Sequence, residues 1–264
     1  MKKLTALILS LIMIFTLCAC GEKDNSTESD LEYVKEKGKL VVGMTEFKPM
    51  DYRDSADPTG WVGFDADLAK AFSESLGLEI EFVEIDWDNK LMELNSQSVD
   101  CLWNGLTLTP EVLNSAETTV PYCKNAQVVV LNSDEAEKYT DEESIKNLSF
   151  AVEAGSAGEA AARERDFETV AVLTQADALM EVASGTCDAC IIDLLMAGAM
   201  IGEGTAYPGL TYKIQLTSEE YAVAFRKGSG LADEFNRFYK AAFEEGKIQE
   251  IAEKYGVGQS VVCK

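Results

Sequence analysis

An α/β fold is the class this sequence predicts, and two observations carry that prediction. Short apolar, β-branched runs alternate with segments whose apolar residues recur at helical spacing. The alternation is interrupted near residues 127–131 and then begins again at Ser149, which points to two successive units. Taken in order, residues 39–43 read as a strand. Asp65 is placed to cap a helix that carries Leu68, Phe72 and Leu76 on one face, and Gly77 helps to stop it. Residues 79–84 form a second strand, 90–95 a short helix and 99–103 a third strand. Residues 127–131 suit a strand that leaves the first unit. In the second unit, residues 149–152 are a strand, and Gly155-Ser156-Ala157-Gly158 opens a helix reaching about residue 165. Strands at 169–172 and 188–193 then flank a helix at 176–183. Residues 221–225 form a returning strand. Leu231, Phe235, Phe238 and Ala242 share one helical stripe, continued by Ile248, Ile251 and Tyr255 before Gly256.

The first nineteen residues stand outside this pattern. Lys2 and Lys3 make a positive start, and residues 4–17 are an apolar stretch of signal-peptide length. Leu17-Cys18-Ala19-Cys20 matches a lipobox, with cleavage before Cys20 and a diacylglycerol on its sulfur. The alternatives are an ordinary signal peptide or an uncleaved anchor. Residues 21–30 contain no apolar side chain and read as a solvated tether. The expected product is exported and held at the outer face of the cell membrane, or on the periplasmic side in a two-membrane host.

Composition removes several functions. Twenty-three basic residues stand against 46 acidic ones, and loss of Lys2 and Lys3 takes the net charge from −23 to −25. Nucleic acid is therefore not an expected partner, because phosphate contacts need clustered Lys and Arg. There is no histidine, which excludes Ser-His-Asp and Cys-His catalysis, histidine-ligated zinc and histidine pH switching. No metal or other cofactor is expected. Five cysteines follow Cys20: Cys101, Cys123, Cys187, Cys190 and Cys263. An odd number in an exported chain implies at least one free thiol. Cys187-Asp188-Ala189-Cys190 has CxxC spacing but lacks a second pair, so buried small apolar side chains are expected ahead of a local disulfide or redox chemistry.

The most informative segment is Asp100-Cys101-Leu102-Trp103-Asn104-Gly105-Leu106-Thr107-Leu108-Thr109-Pro110. An apolar run stops at a small polar loop, and Thr109 is a good N-cap for a helix beginning at Pro110. Such a junction presents backbone N–H groups to one spot, an anion-binding geometry. Around it lie Leu40-Val41-Val42-Gly43, the stretch GWVGFDADLAKAF at residues 60–72, Glu84-Ile85-Asp86-Trp87 and Pro121-Tyr122. In that order and spacing, from Gly38 to Gly256, the chain resembles the extracellular substrate-binding proteins of polar amino-acid ABC transporters.

The resemblance implies a periplasmic-binding-protein-like type II fold: two α/β lobes, two interlobe crossovers and a ligand cleft between them. The implied first lobe is 31–130 plus 220–264 and the second 131–219. It also implies a site. Asp193, ending its apolar strand, matches the acid that binds the ligand ammonium, ahead of the alternative that it caps the next helix. Trp87 matches an aromatic covering the ligand. Thr45, Glu46 and Phe47 lie in the loop after the first strand, where the family places another aromatic. Asn104, Gly105 and Thr107 match carboxylate and ammonium contacts, Ser156 a further polar contact, and Glu153 an additional cleft position.

One departure stands out. Typical members carry an arginine after the Thr-x-Thr turn that grips the ligand carboxylate in a fork. Here that position is Val112. A charge-assisted hydrogen bond is worth roughly 1.5–3 kcal/mol, so its loss weakens a simple α-amino acid by about ten- to hundredfold. Glu46, Glu153 and Asp193 would make the cleft acidic, and Lys48 is a candidate substitute cation. The function expected is capture of a polar, amine-bearing solute, an amino acid or close derivative, by lobe closure, and its delivery to an ABC permease by a monomer. The alternatives are a binder of cationic amines or short peptides, and an enzyme on the same scaffold resembling cyclohexadienyl dehydratase.

Overall fold

The structure is a computed structural model that describes residues 27–263. Cys20 and the segments read as signal peptide and lipobox lie outside the described residues. The tether reading covered residues 21–30, but a helix already runs from Thr27 to Lys37. Asp30 on that helix pairs with Arg226 at 2.6 Å and ties it to the first lobe.

Two five-stranded sheets form the frame. The strands of the first are β1 (Lys39–Met44), β4 (Glu79–Glu84), β5 (Cys101–Leu102), β6 (Ala116–Thr118) and β14 (Ala224–Arg226), in the order β4-β1-β5-β14-β6. The small strands β2 (Tyr52–Arg53) and β3 (Trp61–Val62) form a separate hairpin. The second sheet contains β8 (Gln127–Asn132), β9 (Ser149–Glu153), β10 (Glu168–Val172), β11 (Ala189–Asp193) and β12 (Leu210–Gln215), in the order β10-β9-β11-β8-β12. In each sheet three parallel strands are joined by antiparallel neighbours. The two lobes thus repeat one topology without a visible sequence repeat. Their central strands are buried on both faces, which is why they read as unbroken apolar runs.

Between the sheets, β7 (Cys123–Asn125) pairs antiparallel with β13 (Glu219–Tyr221). These are the two crossings, and they form a ribbon between the lobes. The expected first-lobe limit at residue 130 falls inside β8, which pairs throughout with the second sheet, so the chain changes lobe at Asn125-Ala126. The single returning strand expected at 221–225 is likewise two. Tyr221 belongs to the ribbon, and the chain enters the first sheet only at Ala224. Each half satisfies its backbone bonds with a different partner.

The third strand is shorter than its apolar run. Only Cys101 and Leu102 sit in the ladder, although Asp100 N–H still donates to the Val41 carbonyl at 2.7 Å and Trp103 N–H to that of Gly43 at 3.2 Å. The helix Phe64–Ser75 has no side-chain cap. Gly63 precedes it at φ 134°, and a Cβ there would stand 2.0 Å from the Met50 carbonyl oxygen. Asp65 is instead buried in the first turn, accepting from Gly105 N–H at 2.7 Å and from Tyr122 Oη at 2.7 Å. Phe72 anchors the first lobe among Trp103, Phe225, Phe235 and Phe238, 5.5 Å from Phe235. Phe150 stacks on Phe167 at 4.7 Å in the second. The helices Leu231–Glu244 and Lys247–Lys254 lay the expected stripe on the first lobe.

All five described cysteines are free thiols, four of them buried. Cys187 and Cys190 both belong to the core, as their apolar reading expected.

Candidate functional site

A cavity of about 440 Å³ lies between the lobes, bounded on one side by Trp87 and the 104–112 segment and on the other by the ends of β9 and β11. The carboxyl ends of strands in open α/β sheets are where such clefts arise. Thr109 Oγ1 accepts from Val112 N–H at 3.2 Å, so the helix Pro110–Ser115 begins where the cap signal placed it. Ser156 caps the helix Ala157–Arg163 by accepting from Glu159 N–H at 3.0 Å.

The lobes stand closed. Lys90 Nζ of the first lobe donates to the Gly155 carbonyl of the second at 2.7 Å, and Thr45 Oγ1 lies 3.4 Å from Glu153 Oε1. Gly155 has φ 71°, and a Cβ there would lie 2.6 Å from Asp88 Cα. Gly155→Ala should therefore obstruct closure and, at its left-handed φ, also strain its own loop, together weakening ligand affinity by about tenfold, the equivalent of 1.4 kcal/mol. Titration calorimetry, together with a scattering radius that fails to shrink on adding ligand, checks this.

Asp193 occupies the N-cap position of the helix Leu194–Met200 but makes no cap hydrogen bond. Its Oδ1 accepts from Gln127 Nε2 at 2.9 Å, from Tyr221 Oη at 2.5 Å and from Asn125 Nδ2; Oδ2 accepts from Gln175 Nε2. Asn125 and Tyr221 belong to the interlobe ribbon, so this carboxylate is wired to the crossings themselves. Glu219 Oε1 accepts from the same two amides and from Thr107 Oγ1 at 3.1 Å.

Burial, then the neighbouring Glu219 charge, raises the Asp193 pKa to about 7. Burial, then Asp193, pushes Glu153 up to about 8, against hydrogen bonds from Gln175 and Thr45 and the charge of Lys90. Neither carboxylate has a cation in ion-pair contact among the described residues. Both oppose taking charge for want of one.

Seven of the expected residues line the cavity: Trp87, Asn104, Gly105, Thr107, Glu153, Ser156 and Asp193. Three do not. Thr45 is buried just behind, with Oγ1 on Asn104 Oδ1 at 2.8 Å. Phe47 packs beneath the loop, edge-on to Tyr221 with centroids 6.4 Å apart, and its ring closes the space a Gly105 side chain would need. Glu46 is exposed and outside the lining, because alternation along this segment turns Thr45 and Phe47 inward and Glu46 to solvent. Lys48 is also exposed, 5.3 Å from the Tyr52 ring centroid, and does not supply the substitute cation.

The anion cradle expected at Asn104-Gly105 is spent internally. Gly105 N–H is taken by Asp65, and the Asn104 amide donates to the Thr45 carbonyl at 2.9 Å and to Asp51 Oδ2 at 2.8 Å. Lys90, Asp88, Glu111 and Arg163 line the cleft unforeseen. The spacing of Lys90 three residues after Trp87, one helical turn, was the available signal for the first of them.

Residues 40–258 match the bacterial extracellular solute-binding proteins, family 3, and the chain belongs to that family. The arginine-binding extracellular protein ArtP of Bacillus subtilis is 29% identical across 98% of this chain and 100% of its own length. A Streptococcus pneumoniae ABC uptake transporter substrate-binding protein with bound histidine superposes with a TM-score of 0.81, at 25% identity, over 90% of this chain and 100% of that one. The cyclohexadienyl dehydratase of Pseudomonas aeruginosa is 31% identical over 44% of this chain and 43% of its own. The fold is the type II binding-protein fold. The chain is a solute-binding component of ABC uptake, in a family whose amino-acid-binding members are similar to it from end to end. No helix among the described residues is long and apolar enough to cross a membrane.

Proposed function

We propose that this protein captures an amino acid with a cationic side chain and delivers it to an ABC permease, without catalysing a reaction on it. One observation carries the reading. Asp88, Glu111, Glu153, Glu159 and Asp193 line the cleft against only Lys90 and Arg163, and the two acids at its inner end are buried with no base in ion-pair contact among the described residues. A bound ammonium or guanidinium relieves that arrangement, and the free energy so released favours the closed form. Asp193 receives the α-ammonium, Trp87 covers the ligand, and Glu153 with Ser156 completes the second-lobe wall. Capture needs no further chemistry.

The lobes divide at the interlobe ribbon, as 31–125 plus 221–263 and 126–220. Cys20 carries the lipid that holds a monomeric protein at the outer face of the cell membrane, within reach of the permease. Thermal-shift titration with L-arginine, L-lysine, L-histidine and L-glutamine tests the solute class. A rise in melting temperature of several degrees is expected for the basic amino acids, since a ligand at 100 times its Kd adds about 2.7 kcal/mol. A response to L-glutamine alone would defeat the cationic reading. Turnover of prephenate or arogenate would establish the enzyme instead.

A further inference from the structure

We propose that Lys90 receives the α-carboxylate of the ligand, replacing the arginine whose position Val112 occupies; this deepens the function proposed above and rests on it. Val112 is 2% exposed and shares an apolar cluster with Trp87, Leu94 and Leu106, against which Leu91 packs. Lys90 and Val112, from the helices Lys90–Asn95 and Pro110–Ser115, both line the first-lobe wall of the cleft. On that wall the apolar side chain has gone to one helix and the cation to the other.

Lys90 is buried, and its ammonium is only partly satisfied. It donates to the carbonyls of Trp87 at 3.2 Å and Gly155 at 2.7 Å and lies 5.3 Å from the Trp87 ring centroid, which leaves one of its three N–H groups without a hydrogen-bond acceptor among the described residues. Among the described residues no carboxylate forms an ion pair with it. Burial lowers its pKa, and the charges of Glu111, Glu153, Asp88 and Glu159 only partly offset this. Arg163, the other base of the lining, is 73% exposed in its side chain and already engages Glu159 at 3.1 Å.

The cleft thus holds an unpaired buried cation on its first-lobe wall and unpaired buried acids on its second. A zwitterion satisfies both at once, whereas an amine without a carboxylate leaves Lys90 uncompensated. Because the Gly155 bond spans the lobes, Lys90 is also positioned to make carboxylate binding and closure a single event.

Two matched pairs of probes test this by calorimetry: L-arginine with agmatine, and L-lysine with cadaverine. The wild-type protein should bind each amino acid more tightly than its decarboxylated partner by about tenfold or more. Lys90→Gln keeps a donor for the two carbonyls and removes the charge. It should weaken the amino acid by about tenfold more than it changes the amine, cancelling most of the preference between them. Lys90→Arg should preserve the preference, and adding Val112→Arg to Lys90→Gln should restore it. Equal loss for acid and amine in Lys90→Gln would reduce Lys90 to a latch between lobes and overturn the proposal. So would wild-type protein that binds amine and amino acid alike, a result that needs no variant to fold. If the wild type bound none of the four, the cationic amino-acid reading itself would fall, and this proposal with it.

Discussion

Asp193→Asn should lower affinity for L-arginine by about a hundredfold while the protein still folds. Removing one partner of a buried, hydrogen-bonded charge pair costs about 2–5 kcal/mol, so a hundredfold loss, about 2.7 kcal/mol, lies within the range. The asparagine retains one acceptor oxygen for the donors that converge on Oδ1, namely Asn125, Gln127 and Tyr221. Asp193→Ala would strand all of these together with Gln175, and its destabilisation would obscure the binding effect. The amide is therefore the informative change. Calorimetry gives the affinity, and the unliganded melting temperature shows that the fold persists. An affinity within about threefold of wild type, below 1 kcal/mol, would place the ligand ammonium elsewhere.

Asp193 also shows what made parts of this site legible. Its strand, Ala189–Asp193, is an unbroken apolar run, so an acid at its end stands out without any knowledge of the partner strands. Thr109 was legible for a similar reason: a cap acts within three residues, and local sequence encodes it in full. The element alternation was legible because buried parallel strands and amphipathic helices have different periods.

Gly105 was not legible in this way. Its N–H reads as available from the local loop, yet Asp65, forty residues earlier, claims it. The pairing of Cys123–Asn125 with Glu219–Tyr221 joins segments nearly a hundred residues apart, so the crossing strands were placed a few residues from where they change lobe. A lysine in a short helix ordinarily faces water, so its spacing from Trp87 alone does not mark Lys90 as buried. In the folded protein its ammonium reaches the Gly155 carbonyl of the opposite lobe. The features that escaped are those whose partners lie across the cleft or across the ribbon.

Ligand binding should be strongly pH-dependent, with affinity for L-arginine rising from about pH 5 to about pH 8 by up to tenfold per pH unit for each proton released. Burial raises Glu153 to about 8 and Asp193 to about 7, so the empty cleft keeps protons there that ordinary carboxylates would have lost. A bound cation favours the ionised forms and expels those protons. Lys90, which faces Glu153, already works in the same direction. The stability of the unliganded protein runs the opposite way. A carboxyl whose folded pKa is raised contributes stability that is fully present below its unfolded pKa and is lost as pH rises through the folded value. The empty protein should therefore melt at a lower temperature at pH 8 than at pH 5. Asp65, buried in the first lobe and raised to about 7, adds to that slope without touching ligand. The ligand-induced increment in melting temperature separates the two contributions, because Asp65 enters both the free and the bound measurement. That increment should grow with pH in the wild type and grow less in Glu153→Gln, while buffers of different ionisation enthalpy should reveal proton release in the calorimeter. An increment independent of pH would mean that the cleft acids are already ionised when empty, and the electrostatic drive assigned to them would be lost.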